Sequence, residues 1–330
     1  MMERMGRNKD IAKKIFFCIL ICLSFSIVYG QDIHPFLKIK AFGAITDFLV
    51  DDSKVILSTD AGTIETFSLK NGQKINHIRL PAMKDFMGDP VPVKVYSIDK
   101  QNDKLLIVTQ GDHGFRNLLI YENGEPEEII NAQKDKMMIK KARWIDSSTI
   151  LLGLLGNDLL LFDVSRKKII NKLNISPYTF SDFYLTEDKR NAFTADESGI
   201  VHKIDLIDFK IKQEYTEINV DNIYQLVYKN GVIITAGQDR RVGVYNTITG
   251  NNYFLQKSFL VYSVGLSADA RIGASYATEE NDISLFMTAT RNEAYILKGH
   301  QSIITKIAFF DNHTLISAGD DQFLIIWKFD

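Results

Sequence analysis

Apolar residues in this chain fall in short clusters separated by turn-forming residues, and the clusters repeat. The C-terminal stretch from Gly299 to Asp330, GHQSIITKIAFFDNHTLISAGDDQFLIIWKFD, alternates the runs TKIAFF, LISAG and FLIIW with the breaks DNHT and DDQ. β-Branched and aromatic residues fill the runs, while Asp, Asn and Gly fill the breaks, as expected of strands joined by tight turns. The same grammar recurs upstream, in YLTEDKRNAFTADESGIVHKIDL and in VYKNGVIITAGQDRRVGVYNTITG. Seven such units end their third run on a bulky apolar anchor: Phe67, Tyr121, Phe162, Ile204, Tyr245, Phe286 and Trp327. The anchors are spaced 54, 41, 42, 41, 41 and 41 residues apart.

A fourth run follows each anchor, such as QKINHIRL or KKIINKLNI. Four strands in a unit of 40–45 residues make a propeller blade, which cannot bury both faces of its sheet alone and must stack on neighbours until the ring closes. The pattern predicts an all-β, seven-bladed β-propeller of four-stranded blades, occupying residues 31–330 as a single domain. The last unit stops three residues past Trp327, too soon for an outer strand. The extended run HPFLKIKAF, within the leading segment 31–42, is predicted to supply that strand near Phe36 to Lys40 and so to join the two ends.

The closing unit resembles a WD40 repeat, with Gly299–His300 matching the family's Gly-His pair and Trp327 its Trp, although Lys328 stands where the family usually has Asp. The resemblance implies a structural hydrogen-bonded network of His300, Ser317, Asp321 and Trp327, and hence a structural role for His300 and no catalytic one. Other units keep only parts of the motif: Tyr245 is accompanied by Thr235 and Asp239 without a Gly-His pair, and Ala61 stands at the turn position before Phe67. Quinoprotein-like and lactonase-like propellers are the competing schemes.

The N-terminus has a different character. Met1 to Lys14 is basic, Ile15 to Gly30 is apolar with small residues at its end, and the polar Gln31 and Asp32 follow. That order is the signature of a secretory signal peptide over residues 1–30, cleaved near Gly30, with periplasmic delivery. The apolar run from Ile15 to Val28 is shorter than a bilayer-spanning helix requires, and neither Cys18 nor Cys22 follows the small-residue pair typical of lipid attachment. Both cysteines lie in this leader, so the remainder has no thiol for a disulfide, a nucleophile or a metal cluster. The leader carries five basic and two acidic side chains, which leaves 34 basic against 39 acidic residues and a net charge near −5. Nucleic acid, which needs a basic footprint, and an anionic membrane surface are therefore poor partners.

Motifs of catalysis are missing from the sequence: there is no nucleophile elbow, paired-histidine metal helix or phosphate loop. The glycines of GLLGND at Gly153 read as a hairpin turn. No catalytic residue, cofactor or metal ligand is assigned, and a non-enzymatic protein is expected. One departure from the period is informative. The surplus between Phe67 and Tyr121 is mostly PAMKDFMGDPVP, residues 81–92, lying between the outer strand of the first blade and the inner strand of the second. Insertions in repeat proteins mark the binding face. Met83, Lys84, Asp85, Phe86 and Met87 on this loop are the candidate partner contacts. Asp112 and His113, in the lengthened QGDHG hairpin, fall on the same face. A packing lid over the axis, or capture of a small ligand or metal by methionine, Asp112 and His113, are the alternative uses of the loop.

A periplasmic docking ring that binds another protein or complex is the function these features favour. In size, leader, lack of cysteine and blade layout the chain looks like the WD40-type accessory proteins that accompany epsilonproteobacterial periplasmic nitrate reductases, which would imply assembly or support of the reductase. An outer-membrane assembly propeller, or a propeller enzyme such as a lactonase or a quinone-dependent dehydrogenase, are the alternatives.

Overall fold

The computed structural model describes residues 31–276 and 278–329, so the expected signal peptide lies outside the described residues. Seven antiparallel sheets follow one another along the chain, spanning residues 45–79, 95–130, 139–174, 180–215, 223–256, 264–297 and 304–328. The first six run in chain order from an inner to an outer strand, the seventh holds three strands of this stretch, and together they make the seven-bladed β-propeller that the repeat predicts. Every anchor sits one residue before the end of its blade's third strand, as Phe162 does in Asp158–Asp163 and Trp327 in Phe323–Lys328. Six of the seven are buried, while Tyr121 is half-buried.

The core lies between blades. Seven apolar clusters fill seven junctions, and one of them joins Ile316, Leu324 and Ile326 of the last blade to Phe48, Leu57 and Phe67 of the first. This explains the sequence pattern. Second strands such as Lys54–Thr59 are covered on both faces and read as unbroken apolar runs, whereas the outer strand Lys168–Asn174 is exposed along most of its length and reads as polar. Gly153 serves this packing: a Cβ there would lie 2.5 Å from the Phe180 ring of the next blade.

Ring closure follows the expected route. Leu37–Lys40 pairs antiparallel with the third strand of the seventh blade, in the register Leu37 with Ile326 and Lys40 with Phe323. Ile39 and Ala41 are buried in the cluster between the last and first blades, so closure adds apolar burial as well as backbone bonds. The sequence pattern did not foretell Gln31–Ile33, which lies parallel beside the outer strand Glu293–Leu297 and makes the sixth sheet five-stranded. The leading segment thus straddles two blades and covers both edges. Among the described residues no helix is long and apolar enough to cross a membrane.

Candidate functional site

Three places could carry function: the His300 network, the face bearing the insertion, and the propeller axis. The first is a hydrogen-bonded cluster inside the last blade. His300 Nε2 lies 2.7 Å from Ser317 Oγ, and Trp327 Nε1 donates to the same hydroxyl at 2.8 Å, with all three residues buried. An indole N–H can only donate, so the Ser317 hydroxyl accepts from Trp327 and shares its second hydrogen bond with the imidazole. Among the described residues the other ring nitrogen, Nδ1, has no hydrogen-bond partner. Burial pushes the imidazole pKa down to about 4 against the opposing pull of Asp321, with Lys38 adding to the depression.

Asp321 does not bond His300. Its Oδ1 accepts from Phe323 N at 2.8 Å and holds its own turn, so it acts on the ring through charge alone. Gly299 is required by space, since a Cβ would meet Pro35 Cγ at 2.7 Å and the Trp327 ring at 3.2 Å. The fifth blade rebuilds the network from other residues. Thr235 donates to Asn219 Oδ1 at 2.6 Å and Asn219 Nδ2 donates to Asp239 Oδ1 at 3.1 Å, so Asn219 stands where the last blade has His300. In the fourth and sixth blades the hydroxyl survives as Thr194 and Ser275, buried without a partner among the described residues. Leu57, Ile107 and Leu152 fill that place in the first three.

The insertion forms a small hairpin, with Met83–Lys84 paired to Pro90–Val91. Its tip is stitched by Asp85, whose Oδ1 accepts from Met87 N and Asp89 N, both at 2.9 Å, while Asp85 N donates to Asp89 O at 2.9 Å. Phe86 and Met87 project from this ordered tip, 97% and 74% exposed. Met83 at the base packs on the apolar cluster between the first two blades. Across a cleft of about 510 Å³ stands the hairpin around Asp112, braced by a bond from the Gln133 amide to the Asp112 carboxylate. Met83, Lys84 and Asp112 line that cleft together; Asp85, Phe86, Met87 and His113 lie outside it, and His113 is an exposed residue in left-handed backbone conformation. Among the described residues no three His, Cys, Asp or Glu side chains are grouped as a metal site would need.

The axis carries a feature not read from the sequence. Every inner strand enters with an apolar residue, one intervening residue and then a polar one: Ile45-Thr46-Asp47, Ile139-Lys140-Lys141, Phe180-Ser181-Asp182 and their counterparts. In five blades the strand pairing skips the middle residue, a β-bulge that turns it toward the axial mouth. The polar residue then reaches the next blade. Asp47 Oδ2 accepts from Ile98 N at 3.0 Å, Ser97 Oγ accepts from Arg143 Nη1 at 2.7 Å, and Lys141 donates to Asp182 Oδ1 at 2.6 Å. Asp182 Oδ2 accepts from Leu226 N at 3.1 Å, Gln225 Oε1 accepts from Val264 N at 3.0 Å, and Ser263 donates to Ile304 O at 2.7 Å. Lys306 closes the circle by donating to Asp47 Oδ1 at 2.5 Å and Phe48 O at 2.6 Å.

Burial works to raise the Asp47 carboxyl, but Lys306, Arg143 and the Ile98 N–H outweigh it and hold it below the usual carboxylate range. Burial depresses the Lys141 ammonium despite the Asp182 charge, and Arg143 and Lys306 push the same way. The signal was present in the sequence as one polar residue at a fixed place in each inner strand, but a lone polar residue in a strand resembles ordinary alternation. No family model matches this chain, and no curated protein matches it.

Proposed function

We propose that the protein is a non-enzymatic docking ring that binds another exported protein through the insertion hairpin and the cleft beside it. The exposure of Phe86 and Met87 on an ordered tip carries this reading. An aromatic ring and a thioether held in water by a pinned turn contribute nothing to the fold, and they are the side chains that anchor protein contacts. Because the tip is already ordered by Asp85, little conformational freedom is lost on binding. The partner's complementary surface is an apolar recess able to take both side chains.

The leader's composition supports a periplasmic location, and the blade layout supports a WD40-like accessory role. The periplasmic nitrate reductase complex is on that ground the first partner to test. The purified chain 31–330 should bind that complex, and Phe86→Ser with Met87→Ser should weaken binding by at least about tenfold while the melting temperature stays unchanged. Wild-type binding by the double variant would remove the hairpin from the function.

A further inference from the structure

The axial channel is more basic than the molecule around it. The spaces at its two ends, about 340 and 260 Å³, share Lys141, Arg143, Asp182, Gln225 and Lys306 in their walls, so both border the same ring of side chains. At the level of the ring three cations, Lys141, Arg143 and Lys306, face two carboxylates, Asp47 and Asp182. Lys140 adds a fourth positive charge at the mouth. The whole chain, by contrast, carries a net charge of −2.

Both carboxylates are already engaged through each oxygen. Asp47 is held by Lys306, Phe48 N and Ile98 N, and Asp182 by Lys141 and Leu226 N. The cations keep donors in reserve. Among the described residues Lys141 makes one hydrogen bond from its three N–H groups, and Arg143 makes all of its bonds through Nη1. Its Nη2 lies 3.5 Å from Asp47 Oδ2, too far for a strong bond. Lys306 and Arg143 converge on the same carboxylate, so their charges repel in a partly dehydrated space. An anion between them would relieve that repulsion and accept from the unused donors, with Lys141 and Arg143 on the third blade and Lys306 on the seventh.

We propose that the axial channel binds a compact oxyanion, with two or more anionic oxygens, at the level of Lys141, Arg143 and Lys306. The donors come from two blades of the ring and line one space, which suits a phosphate or a small dicarboxylate. The mouth lies at the starts of the inner strands, on the face that bears the insertion hairpin, so the anion enters from the proposed docking side. The assignment does not depend on docking.

Titration calorimetry and thermal melts of chain 31–330 with inorganic phosphate, with malonate and with chloride at matched ionic strength test it. Saturable binding and a melting shift are expected with phosphate or malonate and not with chloride, and the tighter of the two identifies the oxyanion's chemistry. Lys141→Gln, which places at this ring position the residue type already present as Gln225, should weaken binding by about tenfold or more, the loss of one charge-assisted bond. Should that variant fail to fold, Lys140→Gln removes a mouth charge whose ammonium, among the described residues, bonds only the Phe180 carbonyl, and it too should bind more weakly. Equal shifts from all three salts, or a folded Lys141→Gln or Lys140→Gln with wild-type affinity, would overturn the proposal.

Discussion

Acid should unfold this propeller partly through His300. In the folded protein burial holds the imidazole neutral, with its pKa pushed down to about 4. An unfolded histidine titrates near 6.5. Below that value the unfolded chain binds a proton that the folded chain refuses, because burial disfavours the charged imidazolium. The contribution is intact above about pH 6.5, shrinks as the pH falls toward about 4, and loses nothing further below it. The gap between 6.5 and about 4 corresponds to about 3 kcal/mol. The comparison variant is His300→Asn, since Asn219 occupies the equivalent place in the fifth blade and satisfies Thr235 without titrating. Denaturant unfolding followed by fluorescence of the buried Trp144 and Trp327, repeated from pH 7.5 to pH 4, measures both proteins. The variant should be weaker at neutral pH by roughly 1–3 kcal/mol for the lost bond and packing, yet lose less on acidification, so the two curves approach one another. Other acid-sensitive groups, including buried His202, are common to both and cancel. Parallel losses between pH 6.5 and 4 would refute the neutral, buried assignment of His300.

Three further outcomes follow from the packing. Ile39→Ala in the closing strand should cost about 2–4 kcal/mol by denaturant titration, since Ile39 is buried between the last and first blades; a neutral effect would mean that closure adds no stability. Lys306→Met should cost about 3 kcal/mol by leaving Asp47 short of its nearest counter-charge, and adding Asp47→Asn should recover part of it. Additive losses in that pair would mean that the two residues do not stabilise one another. Gly299→Ala should lower the melting temperature, because its methyl group would collide with Pro35; an unchanged melt would show that the closing segment yields freely.

The blades were legible because second and third strands are buried on both faces and so write unbroken apolar runs, punctuated by turns at a fixed period. The closing strand was legible for a related reason: the last unit lacked an outer strand, and Leu37–Lys40 had the composition to supply it. Gln31–Ile33 was not, since three residues are too few to show a period. The insertion announced itself by length, but the sequence could not tell that Met83 faces inward to the cleft while Phe86 and Met87 stand clear of it. Asn219 escaped notice because an asparagine before a strand reads as a turn residue, and only the fold brings it to Thr235. The axial ring escaped for a deeper reason. Its members sit some forty residues apart, each unremarkable in its own strand, and only the near-circular symmetry of the fold sets them side by side.

Site-specific crosslinking addresses the docking role most directly. A photoreactive residue placed at position 86, on the hairpin tip, is compared with one at position 207, also exposed and in a turn on the opposite face. Both proteins are mixed with the purified periplasmic nitrate reductase complex and irradiated. Position 86 should give a defined crosslinked species that unlabelled chain 31–330 competes away, and position 207 should give none. Crosslinks of equal yield from both positions, or from 207 alone, would contradict a docking surface at the insertion.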